Sequence, residues 1–62
     1  MGRPPMKHAF AICYAKDGVE LQRYTISALS QVAAEAEADA RFERARPELS
    51  NDPLVSRRVE RL

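Results

Sequence analysis

Tryptophan is absent, and two phenylalanines and two tyrosines are the only aromatic residues, so these 62 residues hold few large side chains from which to build an interior. Cys13 is the only cysteine, which excludes an intrachain disulfide. His8 is the only histidine, and a structural zinc site needs four Cys or His ligands, so that staple is excluded too. Neither sign of charge is in surplus: 10 Lys plus Arg stand against 9 Asp plus Glu. A dedicated nucleic-acid binder ordinarily shows a clear basic excess. No apolar run approaches the ~20 residues that cross a bilayer, and Met1-Gly2-Arg3-Pro4-Pro5-Met6 lacks the apolar core of a signal peptide. One thiol and no leader point to a reducing, cytoplasmic setting with no membrane partner.

What remains is one small, charge-rich domain. A chain of about 60 residues buries only about 60% of the surface its unfolded form exposes, and such domains ordinarily add a disulfide, a metal or a second subunit. With the first two excluded, a homodimer is the expected completion. Residues 1–6, with two adjacent prolines, read as a flexible N-terminal segment, and residues 7–62 as a single α+β domain.

Lys7 to Lys16 alternates at period two. His8, Phe10, Ile12 and Tyr14 share one face, and Ala9, Ala11, Cys13 and Ala15 the other, the mark of a strand. Asp17-Gly18 then signals a type I′ turn, which needs positive φ at both central residues. Val19 to Ile26 reads as the return strand. A two-residue loop sets Lys16 against Val19, Tyr14 against Leu21, Ile12 against Arg23 and Phe10 against Thr25. The other face pairs Ala15 with Glu20, Cys13 with Gln22, Ala11 with Tyr24 and Ala9 with Ile26. Neither face is plainly polar, and both edges of such a ribbon are open to pairing.

Ser27 or Ser30 caps a helix running from Gln31 to Arg46, built from strong helix formers and stopped by Pro47. Glu37 and Arg41 stand at i, i+4 in the favourable order. Leu29, Val32, Ala33, Ala36 and Ala40 form one stripe, and Ala34, Ala38, Phe42 and Ala45 a second, nearly opposite. Two stripes suggest a helix sandwiched between its own hairpin and another surface. Beyond the Pro47–Pro53 connector, Asn51 or Asp52 before Pro53 resembles a helix start. A short final helix with Leu54, Val55, Arg58, Val59 and Leu62 on one side is expected, stable only when docked.

Candidate chemistry is sparse. Cys13 sits mid-strand on the small-residue face with no base at a usable spacing, so it reads as a small buried hydrophobe. His8 has no positioned companion for acid–base work. Glu35, Asp39 and Glu43 share a helix face at i, i+4, but the Glu-x-x-His that accompanies such carboxylates in metal-binding bundles is missing, which leaves a solvated face. Arg57, Arg58 and Arg61 are the candidate phosphate contacts, and a dimer would double them, although acidic residues are interspersed.

The expected fold is therefore ββαα: a β-hairpin, a long helix and a short C-terminal helix, completed by homodimerisation, with the C-terminal element a candidate for exchange between copies. The expected interface is Phe10, Ile12, Tyr14, Leu21, Leu54, Val55, Val59 and Leu62. No catalytic, cofactor-binding or metal site is read from the sequence. The expected function is a small non-enzymatic interaction or regulatory module acting as a homodimer, with a protein as its further partner. The alternative, not favoured, is a nucleic-acid-binding dimer using Arg57, Arg58 and Arg61.

Overall fold

In the computed structural model, which describes residues 6–62, four elements follow one another. They are β1 (His8–Lys16), β2 (Val19–Ala28), α1 (Gln31–Ala45) and β3 (Ser56–Arg61). The sheet order is β2-β1-β3, with β1 antiparallel to both neighbours. β2 and β3 therefore run parallel to each other on either side of β1, and α1 forms the crossover between them. Of the expected N-terminal segment, residues 1–5 lie outside the described residues, and Met6 is exposed.

The hairpin forms where the turn chemistry places it. Asp17 and Gly18 both take positive φ, 53° and 78°, and Lys16 faces Val19. The register then departs from expectation. Ala15 still faces Glu20, but Tyr14 faces Gln22, so Leu21 is an extra residue in a β-bulge. From there on the pairs are Cys13 with Arg23, Ile12 with Tyr24, Ala11 with Thr25 and Phe10 with Ile26. One residue of slip exchanges the faces of β2. Tyr24 and Ile26 join the side of Phe10, Ile12 and Tyr14, while Arg23 and Thr25 turn to the other side. The expected register would have placed a guanidinium in the core without a partner, which is costly.

α1 begins at the Ser30 cap, whose hydroxyl accepts from the Ala33 N–H at 3.2 Å. It ends before Pro47, with the Arg46 N–H donating to the Phe42 carbonyl at 2.7 Å. The Ala34, Ala38 and Phe42 stripe faces the sheet and is buried. The alanines let the helix lie close to the strands, and the Phe42 ring stacks on Tyr14, centroids 4.1 Å apart and planes at 4°. Phe10, Ile12, Tyr14 and Ile26 complete the core, with Ile12 fully enclosed. The stripe of Leu29 and Val32 has nothing over it among the described residues: Val32 is 77% exposed and Leu29 also faces out.

The largest correction is at the C-terminus. Residues 56–61 form β3, not a helix, so the fold is ββαβ. Val55 and Val59 stand four residues apart, a spacing that satisfies helical and strand periods alike. A helix this short gains little from its own hydrogen bonds, whereas the free edge of β1 offers a complete ladder of partners. Pro53 starts no helix either: the Asp52 carboxylate accepts from the Leu54 N–H at 2.9 Å, holding a turn that leads into β3.

Within one chain, the eight residues of the expected interface divide into packed and exposed ones. Phe10, Ile12 and Tyr14 are covered by α1 of their own chain, and Leu21, Val55 and Val59 pack against the same core. Of the eight expected interface residues, Leu54 and Leu62 are the ones left largely exposed.

Because the Phe42 ring fills the contact between α1 and β1, Phe42→Ala should lower unfolding free energy by about 3–5 kcal/mol. Val32→Ala, on the outward stripe, should change it by less than about 0.5 kcal/mol. Urea unfolding followed by circular dichroism checks both.

Candidate functional site

The sheet presents two different faces. On the covered one, a polar network joins sheet, helix and β3. The Tyr14 hydroxyl donates to Asp39 Oδ1 at 2.5 Å. Arg57, opposite Tyr14 on β3, donates to Asp39 Oδ2 at 2.5 Å and through its other terminal nitrogen to Glu35. Lys16 donates to Asp52 at 2.5 Å, tying the hairpin end to the turn before β3. Beside this network lies a pocket of about 270 Å³ whose walls include Tyr14, Asp39, Phe42, Leu49, Val55 and Arg57.

The sequence pattern assigns Glu35 and Asp39 to a solvated face. The structure uses them to hold Arg57 instead. The available signal was their position, each one residue beyond the buried Ala34 and Ala38, which places them at the margin of the sheet-facing stripe. The arginine that arrives there comes from β3, 18 residues beyond Asp39 and 22 beyond Glu35. Burial, and then the hydrogen bond to Asp39, push the Tyr14 phenol well above its ordinary value. It therefore stays a neutral donor rather than a base or nucleophile. Tyr24, edge-on to Tyr14 at 6.0 Å, has a buried hydroxyl without a hydrogen-bond partner among the described residues.

The opposite face carries no helix. Its floor is the half-buried stripe Ala9, Ala11, Cys13 and Ala15. The bulge in β2 brings Arg23 alongside Cys13 and leaves Glu20 beside Ala15, while β3 sets Arg58 beside Cys13 and Glu60 beside Ala11. Together they frame an open groove of about 440 Å³. Cys13 Sγ donates to Glu20 Oε1 at 3.0 Å, and Arg23 donates to the same oxygen at 2.9 and 3.0 Å. The hydrogen bond to Glu20, together with desolvation, raises the Cys13 thiol above its ordinary value and keeps it protonated. Cys13 thus lines a surface groove, where the sequence pattern had suggested a buried position.

The three candidate phosphate-binding arginines are not brought together. Strand alternation puts Arg58 on the open face and Arg57 and Arg61 on the other. Arg57 is held by two carboxylates, and Arg61 stands 2.8 Å from His8 Nδ1. Among the described residues no cluster of three or more His, Cys, Asp or Glu is arranged to hold a metal ion, and no helix is long and apolar enough to cross a membrane. Comparison with known proteins returns no matching family model, no similar curated protein and no similar solved structure.

Two measurements check these environments. A phenol raised by folding contributes stability that is intact below pH 10.0, its ordinary value, and declines as pH rises further. The wild-type melting temperature should therefore fall more steeply than that of Tyr14→Phe as pH rises above 10.0. At neutral pH that variant should be less stable by about 1–2 kcal/mol. Separately, Glu20→Ala removes both the acceptor and the negative charge that hold the Cys13 proton, so labelling of Cys13 by a disulfide reagent at fixed mild pH should become several-fold faster.

Proposed function

We propose that this chain is a non-enzymatic interaction module that acts as a homodimer and takes a protein partner on the helix-free face of its sheet. The observation that carries the reading is the composition of that face. An antiparallel sheet with one face in water ordinarily alternates to polar side chains there. Here the central strand turns Ala9, Ala11, Cys13 and Ala15 outward instead. A floor of small side chains lets another protein surface approach the sheet closely, and Glu20, Arg23, Arg58 and Glu60 supply charges of both signs around it. A mixed rim suits a polypeptide better than a polyanion, which would gain from Arg23 and Arg58 and be repelled by the acids.

Chemistry at this face has little support. The thiol is held protonated by a carboxylate, and the buried phenol on the far side is bound as a donor. The nucleic-acid alternative loses its main support with the separation of Arg57 and Arg61 from Arg58.

The test pairs mass with surface mutagenesis. Sedimentation equilibrium at micromolar concentration should give the mass of two chains. In affinity capture from cells, Ala11→Arg, which keeps the core intact, should lose a protein that wild type retains. A single-chain mass throughout, or identical capture by both forms, overturns the proposal. Salt-sensitive binding to mixed-sequence DNA or RNA, abolished by Arg58→Ala, would instead select the nucleic-acid alternative.

A further inference from the structure

We infer that the homodimer forms by antiparallel pairing of β3 with β3 of a second copy, in a register centred on Val59, giving a continuous six-stranded sheet. This assignment rests on the homodimeric reading above and specifies its geometry.

β3 is an edge strand whose residues are all exposed except Val59, which is half-buried. Leu62 donates its N–H to the Ala9 carbonyl at 2.9 Å, and this fixes which backbone groups are already used. Paired residues in an antiparallel ladder alternate between exchanging backbone bonds and facing away from each other. Ser56, Arg58 and Glu60 therefore turn their N–H and C=O towards β1, and Arg57, Val59 and Arg61 turn theirs to the free edge. A second β3 can bond only to those outward groups.

Charged residues on an edge ordinarily discourage pairing. The order of the charges on β3 makes one arrangement favourable. With the two-fold axis at Val59, Val59 bonds to its own counterpart and Arg57 bonds to the partner's Arg61. Between them Arg58 lies directly opposite the partner's Glu60, and Glu60 opposite the partner's Arg58. These are the pairs without backbone bonds, whose side chains approach most closely. An axis at Arg58 would set that arginine against itself, and an axis at Glu60 would do the same for the glutamate. An axis at Arg57 or Arg61 would shorten the overlap.

The charges involved are not otherwise committed on the open face. Arg58 and Glu60 have no ion-pair partner among the described residues. On the helix side, Arg57 sits with two carboxylates, Glu35 and Asp39, so that cluster carries one negative charge in excess. The partner's Arg61, arriving beside Arg57, would balance it. The other edge of the sheet, β2, is bulged at Leu21, and an axis at Thr25 would set Arg23 against Ser27 with no charge pair. Pairing through β3 sets the grooves beside Cys13 of the two copies on one continuous surface, with the paired Arg58 and Glu60 on the wall between them.

The experiment uses complementary charge reversal at exposed positions. Arg58→Glu and Glu60→Arg, each alone, set like charges opposite each other and should weaken self-association by roughly tenfold or more. Mixed in equal amounts, the two variants regain both opposite-charge pairs and should form a heterodimer of near wild-type affinity. Sedimentation equilibrium reads the masses, and circular dichroism confirms that each variant is folded. A wild-type dimer that neither reversal weakens, or weakened variants that fail to associate when mixed, overturns the β3 pairing and leaves the homodimer standing. A wild-type protein of single-chain mass overturns both.

Discussion

The whole fold leans on β1, the one strand among the described residues whose backbone is paired along both edges. Its inward side chains, Phe10, Ile12 and Tyr14, are the middle of the core, and its outward ones form the floor of the groove. A hairpin alone is only marginally stable in water. β3 supplies the third strand, brings Val59 against Ile12, and carries Arg57 to the carboxylates of α1. The core of so small a chain is thin. Its coherence comes from contacts shared by three elements at once, above all the Tyr14 ring, which meets Tyr24 of β2 edge-on and stacks on Phe42 of α1 while its hydroxyl binds Asp39.

Charge is distributed unequally between the two faces. On the helix side the ionic groups are enlisted by the fold: Arg57 bridges strand to helix, and Lys16 bridges hairpin to connector. These groups are partly shielded from water, so their pairing is worth more than that of a fully exposed pair. On the open side Glu20 and Arg23 engage each other, while Arg58 and Glu60 remain unengaged within the described residues. A near-zero net charge therefore hides a division between charges that hold the fold and charges available to another molecule. The proposed module and its β3 pairing both draw on that second set.

Sequence patterning was most informative where local chemistry decides the outcome. Asp17-Gly18 made the turn because positive φ is needed at both positions, and Ser30 and Pro47 bounded the helix because each acts on its own backbone. The Glu37–Arg41 pair formed at 3.5 Å as helical spacing requires. The candidate site was legible only in part. The small-residue stripe of β1 was visible in the periodicity, but the grouping of Tyr14, Asp39 and Arg57 joins residues far apart in the chain.

The sequence by itself determined the hairpin turn, the first strand, the helix and its ends, and the two stripes of α1 of which one would face a sheet. Tertiary structure decided three things that no short window contains. Residues 56–61 became a strand because β1 had an unfilled edge, and Val55 and Val59 fit either period. The bulge at Leu21 arose because burying Tyr24 and Ile26 beneath α1 outweighs one interrupted step of the ladder. The arginines of β3 separated because alternate residues of a strand point to opposite faces. Each outcome depends on energies set by partners distant in sequence, and those partners exist only once the chain has folded.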